Sequence, residues 1–247
     1  MKHTALSILL IGTTLLADTT TNWVGNYYGV SLNYNHGTVE NSSNISAGNY
    51  YTGNDIELIT PHSSNTNSDN NIGATFSLGH NIQIENVVYG LEADLSLANY
   101  SNEYNSGNIF YDTAPTKTFN VHTKLSHDWI INLQPKIGYA YHSSLFYAVG
   151  GLSLAQFKYE FDKTDNAFNA AIHQDSNKFK IGFNAGVGIE HQISKDWTLS
   201  LEYLYTKFNN VAKENGTLHA TGGLTANYDN SVDYKLNTLS IGFIKKF

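Results

Sequence analysis

Six charged side chains stand out in a chain where only 14% of residues are charged: Glu92, Asp94, Lys136, Lys180, Glu190 and Glu202. Most sit between apolar neighbours, and each shares a face with Gly, Ser, Thr or Asn rather than with Leu, Ile or Phe. Carboxylates and ammonium groups gathered on one enclosed face have two uses. They can line a narrow ion path, or they can pair off as a network that fills the space, since buried charge must be compensated. A packed network is the expectation here. Two other sets could carry chemistry. His142-Ser143-Ser144 brings an imidazole next to two hydroxyls, but no G-x-S-x-G nucleophile elbow is present. His36, His62, His173 and His219 stand near tyrosines in polar stretches and could reach a haem iron, yet no pair has ligand spacing.

The elements that position the six charges are strands. From Phe179, alternate residues read Phe179, Ile181, Phe183, Ala185, Val187, Ile189, with Lys180, Gly182, Asn184, Gly186, Gly188 and Glu190 between them. Successive strand side chains point to opposite faces, so one face is apolar and the other small or polar. After a polar turn at Ser194-Lys195-Asp196, Trp197, Leu199, Leu201, Tyr203 and Tyr205 alternate with Thr198, Ser200 and Glu202. A soluble barrel would turn the Gly, Asn, Ser and Thr face to water. A barrel in lipid turns the apolar face to acyl chains and fills its lumen with the small and polar one, with aromatic rings at the two interfaces.

Composition agrees with one domain in a membrane. The 247 residues show no abrupt compositional shift, and there is no cysteine, so no disulfide and no thiolate metal site. A net charge of −7 argues against general binding to nucleic-acid phosphate. Lys2 and His3 precede an apolar run from Ala5 to Leu16, and Leu15-Leu16-Ala17 resembles a small-residue cleavage site. Residues 1–17 are expected to be a secretory signal peptide and residues 18–247 the barrel domain. Beyond that run no apolar stretch approaches 18 residues, which excludes a spanning helix but not spanning strands.

The same alternation predicts strands over residues 22–35, 72–82, 87–97, 131–141, 145–159, 179–190, 197–208 and 234–247. Pro135, which cannot donate to a ladder, predicts a bulge or a missing bond in the fourth. A phase slip between Leu154 and Phe157 predicts a bulge in the fifth. Residues 36–71, 99–119, 162–177 and 209–233, rich in Asn, Ser, Thr and Gly, read as long loops. Eight strands joined by alternating short turns and long loops define an all-β, eight-stranded antiparallel up-and-down transmembrane barrel, with short periplasmic turns and long external loops.

Trp23-Val24-Gly25-Asn26-Tyr27-Tyr28-Gly29, Val88-Tyr89-Gly90-Leu91-Glu92-Ala93-Asp94, Trp197 with Glu202-Tyr203-Leu204-Tyr205, and the closing Phe247 occur in this order. Together they resemble the eight-stranded, OmpA-like outer-membrane barrels of Gram-negative bacteria, in particular the 25-kilodalton-type surface antigens and porin-like proteins. The chain departs from that pattern at Gln134 and Lys136, where the family commonly has two arginines, and at Lys245, where it commonly has an aromatic. The resemblance implies export to the outer membrane, with Phe247 as the signal read by the barrel-assembly machinery. It implies contact with outer-membrane lipid, and structural and surface-antigen roles with loops free for a host surface or a small molecule. No cofactor, nucleic acid or enzymatic activity is expected. The alternatives are a small porin or haem-binding receptor and, after them, a lipid A-modifying barrel enzyme.

Overall fold

A computed structural model describes residues 21–247. The expected signal peptide lies outside the described residues. Eight long strands form the wall: β1 Gly25–Ser46, β2 Thr66–Ile84, β3 Val87–Asn105, β5 Thr118–Tyr141, β6 Ser144–Asp165, β7 Ala170–Gln192, β8 Trp197–His219 and β9 Thr225–Lys246. A two-residue ribbon, β4 Ile109–Phe110, and one helix, α1 Gly53–Ser63, lie in the connections. All pairings are antiparallel, and the order β3-β2-β1-β9-β8-β7-β6-β5 closes through β3 against β5. Closure leaves no sheet edge in lipid, where an unpaired backbone group would have no water to bind.

The strands are 19–24 residues long. At about 3.3 Å per residue they reach roughly 60–80 Å, about twice what a tilted strand needs to cross hydrocarbon. One half is the expected transmembrane barrel: Val30, Leu32, Phe76, Leu91, Ile131, Leu133, Val187, Leu201, Ile241 and Phe243 all point outward and are exposed. The other half corrects the long-loop expectation. Residues 36–46, 66–71, 99–105, 162–165, 170–177, 209–219 and 225–233 continue the strands as an external extension of the same wall.

That extension has the opposite polarity. On β6, Leu152 faces outward and is 49% exposed, whereas Phe157, Tyr159 and Phe161 point inward and are at most 2% exposed. The β6 side chains keep one alternation throughout, and β6 pairs with β7 in unbroken register. The phase slip between Leu154 and Phe157 is therefore not a bulge. It marks the height at which the surroundings change from lipid to water and the apolar residues move to the inside. The bulge lies in the partner strand, where β5 shifts register against β6 between Ser126 and Ile130. Similar shifts fall between Leu97 and Tyr100 of β3, and between Phe208 and Ala212 of β8. Near Pro135 the β5–β6 register holds, but pairing lapses between Leu133–Leu152 and Lys136–Val149, which is the missing bond expected of a proline.

The inward apolar residues of the extension form one core, with Phe119, Leu125, Phe157, Phe161, Phe208, Tyr228 and Tyr234 at its centre. Helix α1 covers it and buries Ile59 completely. Thr52 caps the helix with Asp55, each side chain bonding the other residue's backbone N–H in a capping box. Among the described residues no helix is long and apolar enough to cross a membrane, and the crossing belongs to the strands.

Candidate functional site: a lumen closed at two heights

The lower closure is built around Lys136. Its ammonium lies 2.9 Å from Glu92 Oε2 and 3.0 Å from Glu190 Oε1, with no side-chain exposure of its own. It also donates to the Tyr27 hydroxyl at 3.1 Å, and Tyr27 donates to Glu92 at 2.6 Å. The rings of Tyr27 and Tyr147 lie 5.0 and 4.5 Å from the ammonium, close enough for cation–π attraction. Tyr147 donates to Glu202 Oε2 at 3.0 Å, and Gln134 donates to Asp94 Oδ2 at 2.9 Å. Strands β1, β3, β5, β6, β7 and β8 all contribute to this knot, so it fills the bore and ties opposite walls together.

Five of the six charges expected in the lumen fall in or beside it. Lys180 does not. It shares the inward alternation of Gly182 and Asn184 but is only half-buried, and it bonds no acid among the described residues. It stands ten residues up β7 from Glu190, roughly 30 Å along the strand. Alternation gives a residue's face but not its height, so in the sequence Lys180 groups with the rest. Tyr27, Tyr147 and Gln134 belong to the knot without standing out in the sequence. A signal is nonetheless present: Tyr27 pairs across strands with Gly79, and Tyr147 with Gly188. Each ring occupies the space that a Cβ on that glycine would need. An inward aromatic opposite an inward glycine is how a narrow bore accommodates a large side chain.

The upper closure is the aromatic core of the extension. At its base His127 stacks on Tyr100 at 5.3 Å and bonds the Tyr234 hydroxyl at 3.0 Å, with Phe157 and Phe208 alongside. Higher up, Lys163 is buried among rings. Its ammonium is 2.6 Å from the Tyr51 hydroxyl, 3.5 Å from Asp165 Oδ2, and 5.0 Å from the Tyr51 and Phe119 ring centres. Tyr111 donates to the same carboxylate, and Tyr51 and Tyr228 hydroxyls lie 3.0 Å apart. Burial pushes the Lys163 ammonium down to about 8, against the pull of Asp165. Burial likewise drives the Tyr51, Tyr111 and Tyr228 hydroxyls above their ordinary range. This cluster is invisible in the sequence, because Asp165 and Tyr111 fall in stretches that read as loops.

The other candidate residues are dispersed. His36 bonds Asn70 on the outer wall, His173 bonds Asp162 at 2.6 Å, His62 lies on α1 beside Phe119, and His219 ends β8. Among the described residues no three His, Cys, Asp or Glu side chains converge as a metal site. Ser144 Oγ lies 3.0 Å from His191 Nδ1 at the short-turn end, and no carboxylate among the described residues bonds that ring.

A closed ring of eight strands, with an apolar belt facing outward and polar side chains within, defines an integral outer-membrane β-barrel. The chain belongs to the outer membrane protein beta-barrel domain family, whose model matches residues 5–247. It is 29% identical over 206 residues to the 31 kDa outer-membrane immunogenic protein of Brucella melitensis, covering 81% of this chain and 79% of that one. It is 24% identical over 189 residues to the 25 kDa outer-membrane immunogenic protein of Brucella ovis, covering 76% and 71%. Among solved structures, OprG of Pseudomonas aeruginosa is similar with 13% identity and a TM-score of 0.42, covering 93% of this chain and 99% of that one. Ail of Yersinia pestis is similar with 10% identity and a TM-score of 0.40, covering 89% and 99%.

Proposed function

We propose that this barrel is a closed structural and surface-display protein: it braces the outer membrane, holds a rigid polar tower outside the cell, and neither conducts ions nor catalyses a reaction. The observation that carries this reading is the pair of stacked closures, the Lys136 knot and the aromatic core, in a bore that eight strands leave only wide enough for side chains. The porin alternative would need the lumen charges to be hydrated and free, whereas Lys136 has no exposure. The haem and lipid A alternatives would need a converged ligand set, or a catalytic pair on the external side. Residues 18–247 form the exported domain in this reading, with Phe247, exposed at the rim, as the mark for the assembly machinery. The names of the Brucella relatives support a role in immune recognition for the external wall.

Two measurements test the reading. Purified, folded protein in a planar bilayer should give no steady conductance, and stable open channels with selectivity dependent on Lys136 would refute the closed lumen. An impermeant thiol reagent on whole cells should label Asn215→Cys on the external wall. It should reach Lys195→Cys, in the β7–β8 turn, only after permeabilisation. The reverse pattern would invert the barrel.

A further inference from the structure

Between the two closures lies a chamber of about 60 Å³ with a mixed polar and apolar lining, room for roughly four or five water-sized occupants. Asp94, Glu202, Thr75 and Asn132 line it together with apolar residues such as Ile130 and Leu204. Its charge does not balance. Glu92, Asp94 and Glu202 line it and Glu190 stands beside it, and among the described residues Lys136 is the one cation that bonds any of the four, committed to Glu92 and Glu190. Lys246, at the lower rim, bonds the Asn22 carbonyl instead. Asp94 and Glu202 are left facing the chamber with neutral partners only, Gln134 and Tyr147.

The hydrogen bonding of Asp94 is also incomplete. Asp94 is 5% exposed, and its Oδ1 has no donor among the described residues. The same holds for Gln134 Oε1, on the residue that bonds Asp94, and for Asn184 Oδ1, on the residue that bonds Asn132. On the chamber lining itself the unpartnered atoms are Asp94 Oδ1, both polar atoms of the Asn71 amide and His127 Nδ1, so the carboxylate oxygen of Asp94 is the charged group left without a partner. Two carboxylates without a cationic partner, one of them buried with an oxygen that no donor meets, suit a species that brings positive charge and needs oxygen.

We infer that the chamber binds a hard, oxygen-seeking cation, held by Asp94 and Glu202 with chamber hydroxyls and residual water completing its shell. The cation supplies the positive charge that Lys136 does not extend to Asp94 and Glu202, and is taken up as the barrel folds, with the Lys136 knot below it and the aromatic core above. The inference rests on the closed lumen, which the bilayer recording tests separately.

The test is to fold the full chain in rubidium chloride or strontium chloride, desalt it into N-methylglucamine chloride, and count metal per barrel by mass spectrometry. Retention of one of the two near stoichiometry is expected, and the arm that retains tells monovalent from divalent. Asp94→Asn and Glu202→Gln, each close in shape to the residue replaced, should cut retention about tenfold or more, as loss of one charged ligand does when it removes at least 1.4 kcal/mol of binding. Asp229→Asn, on the outer wall, should retain metal like the parent. If one of the two lumen variants does not fold, the other carries the comparison. Absence of both metals from a non-conducting parent barrel would overturn the proposal, leaving the two acids protonated. Retention that survives both single variants would overturn it equally, and so would a conducting barrel, whose wet lumen needs no resident ion.

Discussion

Replacing Lys136 with Met is the sharpest test of what holds the lower lumen together. The substitution keeps an unbranched side chain of similar length and removes only the charge and its donors. Glu92 and Glu190 each have an oxygen within 3.0 Å of the same nitrogen, so the two carboxylates lie no more than about 6 Å apart; two charges at that spacing repel by about 3 kcal/mol at an effective dielectric constant of 20. Both are almost fully buried, so neither escapes to water without opening the wall. The Tyr27 hydroxyl and the attraction of two aromatic rings are lost as well. Breaking a buried pair in this way costs about 3–5 kcal/mol. The assay is denaturant unfolding from lipid vesicles, followed by the fluorescence of Trp23, Trp129 and Trp197, the three tryptophans of the chain. Adding Glu92→Gln and Glu190→Gln to the Met variant should restore most of the loss, because no stranded charge remains. A Lys136→Met barrel as stable as the parent, within about 0.5 kcal/mol, would show that the carboxylates are hydrated and that the knot is not a plug.

Two further predictions concern the wall. Val187 faces outward and is 59% exposed, so Val187→Arg places a charge among acyl chains and should cost about 2–4 kcal/mol near the midplane in the same assay; a harmless substitution would refute the outward assignment. Above the membrane, Lys163 releases its proton near 8 in the folded protein rather than at the ordinary 10.5. Between those values the unfolded chain binds more protons, so the external half should gain up to about 3 kcal/mol as pH rises from 8 to 10.5. The tyrosines beside it, which hold their protons more tightly than usual, oppose that gain as pH passes 10. Amide exchange of β6 against pH reads the slope, which should be smaller in Lys163→Met; an unchanged slope would remove Lys163 from the account.

The membrane half is legible in the sequence because lipid enforces a simple rule. Apolar residues must take every outward position, so Phe179 to Ile189 and Tyr28 to Tyr34 announce themselves as strands. The external half obeys the rule of a water-soluble barrel, but with polar inward residues interrupting it. Asn41 and Ser43 point inward between Val39 and Ile45, so the apolar signal is halved and the stretch reads as loop. Bulges obscure the rest: β5 changes its inward set from Leu125 and His127 to Ile130 and Asn132 across its register shift, which scrambles any fixed period. Helix α1 is a single short element in a polar stretch, with Ile59 its one fully buried apolar side chain, too little to mark a period. The lumen charges are recognisable by their face, and only the register between strands sorts them by height.

The reversal of polarity along unbroken strands constrains how the protein reaches its place. The outer wall of the extension carries Glu40, Asp128, Lys158, Lys178 and Asp229, and no such surface can be dragged through hydrocarbon as a finished tower, given that each exposed charge costs several kcal/mol at the bilayer centre. The hairpin tips therefore have to cross while the ring is still open, shielded from lipid, and the seam between β1 and β9 closes last. Disulfide trapping between Asn35→Cys and Thr238→Cys, which stand opposite each other in that seam, would then appear only after protease added from outside can already reach the tips; trapping that precedes their exposure would contradict this order. Delivery is thus a threading problem, and the height of the tower sets how much chain must pass before the gate can shut.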